Sequence, residues 1–159
     1  MQDKPFQRKG AISNAHVGRD FERLVQEYFA STGLHLKKSL MLPIGFHGRK
    51  YHCFDLGDYK DQVLVECKAH TWTEGGNIPS AKLTTWDQAM YYFHVAPRGF
   101  RRILVVLKDF SPKRKETLGQ HYVRTNWHLI PKSVEIWEYD MELQTAYRIN
   151  IQESEQSRD

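Results

Sequence analysis

The chain has 159 residues, 40% of them hydrophobic and 13% aromatic, which fits one domain with a real core and excludes a disordered segment. No apolar run approaches the roughly 18 residues of a membrane span, and MQDKPFQRKG has basic residues without the apolar stretch of a secretory signal, so an intracellular, cytoplasmic protein is expected. The net charge of +4 rises to +6 over residues 1–150, because the closing IQESEQSRD holds three acids and one base; the cations cluster at Lys37 and Lys38, Arg49 and Lys50, Arg98 to Arg102, and Lys113 to Lys115, a distribution that suits a polyanion such as nucleic acid.

Residues 1–13 read as a loose basic lead-in. In HVGRDFERLVQEYFASTG, apolar residues at Phe21, Leu24, Val25, Tyr28 and Phe29 follow helical spacing and predict a helix over about 16–31, with Gly33 as its stop. Strands are predicted over 35–42 and 50–56, joined by a turn at 43–48. The valine-rich QVLVECK, 62–68, is a third strand. Residues 71–79, with Gly75 and Gly76, form a loop. A helix over 80–95 ends before Pro97. RRILVVLKD, 101–109, has the near-continuous apolar centre of a strand buried on both faces. A further helix is expected over 113–125, then a closing hairpin from VEIWEYD and TAYRIN, and a flexible acidic tail over 151–159. No repeat or linker divides the chain.

Alternation along the third strand puts Val63, Val65 and Cys67 on one face and Leu64, Glu66 and Lys68 on the other. On the preceding strand Cys53 and Asp55 are expected to share a face. If the two strands pair, Asp55 comes to lie beside Glu66. Two adjacent carboxylates repel. A divalent cation offsets that repulsion, and hard oxygen ligands select Mg2+ or Mn2+. Lys68 then stands beside the ion's water, where an ammonium orients the nucleophile or stabilises developing negative charge. That chemistry is phosphodiester hydrolysis by a metal-activated water. A zinc site from Cys53, Cys67 and His70 has no closed-site spacing.

The order helix, three strands, helix, strand, with Asp55 on the second strand and Glu66-Cys67-Lys68 on the third, resembles the PD-(D/E)XK superfamily of restriction-endonuclease-like nucleases. The likeness covers about residues 16–109, with Phe54 where the family pattern has proline. It implies an α/β fold with an αβββαβ core, a central mixed sheet flanked by helices, here with a C-terminal β-hairpin, and one nuclease domain over 1–159. It implies catalytic roles for Asp55, Glu66 and Lys68, with the ion held by Asp55, Glu66 and the backbone carbonyl of Cys67. Glu22 matches the extra glutamate the family often carries on its first helix. Gln88 and Tyr92 match the Gln-x-x-x-Tyr of its RecB-like branch, Gln88 assisting catalysis and Tyr92 meeting substrate.

Of the aromatics at Trp72, Trp86, Tyr91, Tyr92 and Phe93, Trp72 is the expected substrate contact, since its loop follows Lys68; Lys82 is placed to meet phosphate. The expected partner is DNA, and the short chain leaves room for a homodimer or a partner protein to choose the target. Two alternatives stand beside this reading: a nucleic-acid-binding module on the same scaffold without catalysis, and a nuclease that cuts RNA.

Overall fold

The structure is a computed structural model that describes residues 10–151. Its first element, α1 (Gly10–Ser31), starts ahead of the expected 16–31. Ala11 and Ala15 favour helix by intrinsic propensity, a signal that apolar periodicity does not carry. The lead-in expected over 1–13 is therefore helical from Gly10; its first nine residues, and 152–159 of the expected tail, lie outside the described residues. Phe21, Val25 and Phe29 are buried along one stripe of α1, against Leu56, Val63, Val65, Ile103 and Val105 of the sheet.

Three antiparallel strands follow: β1 (Lys37–Ile44), β2 (Lys50–Asp58) and β3 (Val63–Lys68). Strand β1 extends through Pro43, which the expected turn at 43–48 had claimed. It is the outermost strand of its sheet, and proline is tolerated at an edge where no partner needs its missing N–H. Strand β2 likewise runs past residue 56. Its Gly57 pairs with Lys37 on one side and Leu64 on the other. A Cβ there would sit 2.5 Å from the Leu40 side chain and 2.6 Å from the Val63 carbonyl oxygen, so only glycine allows the approach. The turn to β3 begins at Asp58, whose Oδ1 accepts the N–H groups of Lys60 at 2.8 Å and Asp61 at 2.9 Å.

Helix α2 (Ser80–Val95) spans its expected range and leads to β4 (Arg101–Leu107), parallel to β3. Its Leu83, Trp86, Ala89, Met90 and Phe93 pack on the sheet face opposite α1, against Phe54, Leu64, Leu104 and Val106. Strand β4 therefore sends Ile103 and Val105 to one layer and Leu104 and Val106 to the other, the two-faced burial its apolar run predicted.

The expected helix over 113–125 is shorter and later. A small hairpin of β5 (Phe110–Ser111) and β6 (Glu116–Thr117) comes first, then α3 (Leu118–Asn126). Thr117 starts it through a capping box: its hydroxyl accepts the Gln120 N–H while the Gln120 side chain accepts the Thr117 N–H. Strands β7 (Val134–Asp140) and β8 (Thr145–Ile149) close the chain as the expected hairpin. The result is an α/β fold with a six-stranded mixed sheet, order β1-β2-β3-β4-β7-β8, and three α-helices among the described residues. No described helix is long and apolar enough to cross a membrane.

Candidate active site

Alternation along β3 behaves as the sequence predicts. Val63, Val65 and Cys67 belong to the α1 layer and Leu64 to the α2 layer, which sends Glu66 and Lys68 towards the α2 side at the strand's C-terminal end. Alternation along β2 does not hold. Phe54 and Leu56, two positions apart, lie in opposite layers. The break falls at Asp55, facing Ser39 of β1, whose φ of +58° is rare for a residue with a side chain. Asp55 is thus not simply on the face of the exposed Cys53. It turns into a gap between β2 and β3.

The gap exists because the β2–β3 ladder ends at Leu56 opposite Val65. Beyond it Asp55 replaces the missing backbone partner: its Oδ2 accepts the Cys67 N–H at 2.8 Å. That places the Asp55 carboxyl within hydrogen-bonding reach of the Glu66 carboxyl. Burial first, and the Glu66 charge second, raise the Asp55 pKa from 3.8 to about 7. Near neutral pH the Asp55 carboxyl is therefore poised between its protonated and its charged form.

Glu66 is only 5% exposed. Its Oε1 lies 3.2 Å from Nε2 of His52 and its Oε2 3.9 Å from Nζ of Lys68. Glu22, half-buried on α1, feels the charges of Glu66, Lys68 and Lys38, and burial raises its pKa above the ordinary range. One acid from a helix, two from adjacent strands and one ammonium are thus brought into electrostatic contact at one end of β3. Cys67 is partly buried, and its thiol pKa is pushed well up, by desolvation and then by Asp55, so it stays a neutral thiol.

The remaining predicted residues are placed less uniformly. Tyr92 joins the cluster: its ring stacks on His52 at 4.0 Å between centroids. Gln88 is exposed on α2, lines a shallow depression with Thr84, Thr85, Asp87 and Tyr91, and makes no hydrogen bond to Asp55 or Glu66. Lys82 is exposed in the first turn of α2. Trp72 requires a correction. The residue is only 7% exposed and packs in the core, so its ring is not presented to a base. Asp109 holds it, Oδ2 accepting the Trp72 N–H at 2.7 Å and the backbone oxygen accepting the indole N–H at 2.9 Å, while the Arg114 guanidinium lies over the ring.

His52 is the residue that sequence reasoning missed. The signal was available, since alternation back from the buried Phe54 puts His52 on the Glu66 side of β2. Compared with protein-family models, with curated proteins and with solved structures, the chain finds no match in any of the three.

Proposed function

We propose that this chain is a metal-dependent nuclease with a restriction-endonuclease-like core, hydrolysing phosphodiester bonds in DNA. The observation that carries the reading is the buried pairing of Asp55 with Glu66 beside Lys68. Folding two carboxyls together is unfavourable on its own, and hard divalent cations are what such oxygen pairs bind. Among the described residues no three His, Cys, Asp or Glu side chains gather into a ready-made cage. Two carboxylates, the Cys67 carbonyl and waters make a sparser ligand set, which suits magnesium's habit of keeping several waters.

Bound there, the ion supplies an acidified water and positive charge against the scissile phosphate. The protein's own groups do the rest. Asp55 stays fixed by the Cys67 N–H. Glu66 is oriented between His52 and Lys68. The Lys68 ammonium, about a quarter exposed, adds charge where negative oxygen develops. Glu22, with its raised proton affinity, is suited to holding a proton at the edge of the site.

Supercoiled plasmid incubated with Mg2+ is expected to be nicked or linearised, and EDTA to stop it. No cutting of plasmid or of tRNA in Mg2+ or Mn2+ refutes the enzyme, and gel retardation that persists in EDTA then assigns a binding module. Cutting of tRNA alone makes the substrate RNA. Because His52 fixes the Glu66 carboxylate, His52→Ala is expected to weaken Mn2+ binding about 10–100-fold, measured by calorimetry without substrate. His52→Gln, which can still donate a hydrogen bond, should recover part of it. Unchanged affinity in both variants removes His52 from the site.

A further inference from the structure

Between Glu27 and Asp55 the sequence has no acidic residue, while Lys37, Lys38, Arg49 and Lys50 and the histidines His35, His47 and His52 all fall there. This stretch builds the β1–β2 hairpin. At its base the charges are answered: Lys37 Nζ lies 3.9 Å from Asp58, and Lys38 acts on Glu22. At its tip Arg49 and Lys50 are exposed.

Phe46 stands at the same tip with 65% of its surface exposed, and Tyr91 on α2 with 59%. The Phe46 ring lies 6.4 Å from Tyr91 and 6.0 Å from His94, steeply inclined to both. Phe46 thus meets the other two rings edge to face, Tyr91 and His94 lie tilted at 41°, and all three side chains are exposed, so ring surface stays open to solvent. The one carboxylate on α2, Asp87, accepts hydrogen bonds from Tyr122 and Asn126. The residue after Tyr91 is Tyr92, stacked on the His52 that contacts Glu66. Rings and carboxylates therefore lie along the same contact of hairpin with α2.

We propose that Phe46, Tyr91 and His94, flanked by Arg49 and Lys50, form a stacking platform for single-stranded nucleic acid; as a guide to the carboxylates it rests on the nuclease reading above. Exposed ring faces pair with unstacked bases, which a duplex keeps inside, and the cations track the backbone. A basic hairpin tip without acids, facing a helix whose Asp87 is already hydrogen-bonded to Tyr122 and Asn126, matches a polyanion better than an apolar protein surface.

The test is fluorescence anisotropy in EDTA, with one labelled oligonucleotide presented single-stranded and then annealed. Wild type is expected to prefer the single strand. The double variant Phe46→Ala/Tyr91→Ala, which removes only exposed rings, is expected to lose roughly ten-fold or more on the single strand and to keep its duplex affinity. Phe46→Trp, which retains a ring, should bind as well as wild type. Equal loss on both forms, or no loss, overturns the platform. So does sedimentation showing that the double variant disperses a dimer while oligonucleotide affinity is unchanged. A wild type that binds this way but never cuts in Mg2+ supports the platform and overturns the nuclease. Cutting that survives with no stacking contribution overturns the platform alone.

Discussion

Glu66→Gln is expected to lower magnesium-dependent cutting by about 10²–10³ or more, and to raise the melting temperature measured in EDTA above neutral pH. Both effects come from one feature. Glu66 is almost fully buried beside Asp55 and its charge makes ionisation of Asp55 costly, while in the proposed function it is a ligand to the ion. Glutamine keeps the shape and one acceptor oxygen, removes a ligand charge, and relieves the second cause of the raised Asp55 proton affinity. Activity and stability then move in opposite directions, as at sites where function is held against the fold's preference. Lys68→Ala should lose activity to a similar degree without gaining stability, because Glu66 and Glu22 both lose a nearby cation. Nicking rates and melting curves on the same preparations decide the matter. Near wild-type cutting by either variant removes the site assignment, and lost cutting with a collapsed melting transition makes Glu66 a structural residue instead.

The parts of this site legible in the sequence are those governed by strand period and by one short connection. QVLVECK alternates cleanly, so the side taken by Glu66 and Lys68 follows from which residues are apolar. The turn from Asp58 fixes the register that sets Leu56 opposite Val65 and so brings Asp55 near Glu66. The face-switch at Asp55 was hidden because its counterpart is Ser39 at φ +58°, and serine gives none of the warning a glycine would. Trp72 misled for a different reason. A loop tryptophan near a candidate catalytic lysine reads as available until Asp109, distant in sequence, takes both its N–H groups. The start of α3 was legible and overlooked: Thr117 and Gln120 have capping-box spacing, but the basic run at 113–115 reads as helix, whereas Lys115 turns the chain with φ +58°. The His52–Tyr92 stack joins two elements whose packing no local pattern specifies.

Removing divalent ions is expected to make stability fall as pH rises from about 4 to about 7. Asp55 has its pKa raised from 3.8 to about 7, by burial first and Glu66 second. Below pH 4 both the folded and unfolded chains hold this proton. Between the two values the unfolded chain has released it and the folded chain has not, so the unfolding free energy declines with pH across that window. The gap between 3.8 and about 7, at 1.36 kcal/mol per pH unit, sets the loss on the order of 4 kcal/mol. Asp58, Glu116, Glu135 and Asp140 act in the opposite sense and in another window. Their pKa values are held low by hydrogen bonds and ion pairs, so what they contribute disappears only in more acid solution. If the site holds a divalent ion as proposed, the ion should reverse this trend, because it competes with the Asp55 proton. At pH 8 Mn2+ at a hundred times its Kd should stabilise the fold by about 2.7 kcal/mol, and at pH 5 by much less. Asp55→Asn keeps an oxygen for the Cys67 N–H and loses the charge. It should be more stable than wild type in EDTA at pH 8 and should gain nothing from Mn2+. Melting curves at the two pH values, with and without the ion, read all of this without any substrate. An equal Mn2+ gain in wild type and Asp55→Asn, or none in wild type at pH 8, means that the paired carboxyls hold a proton and not a metal.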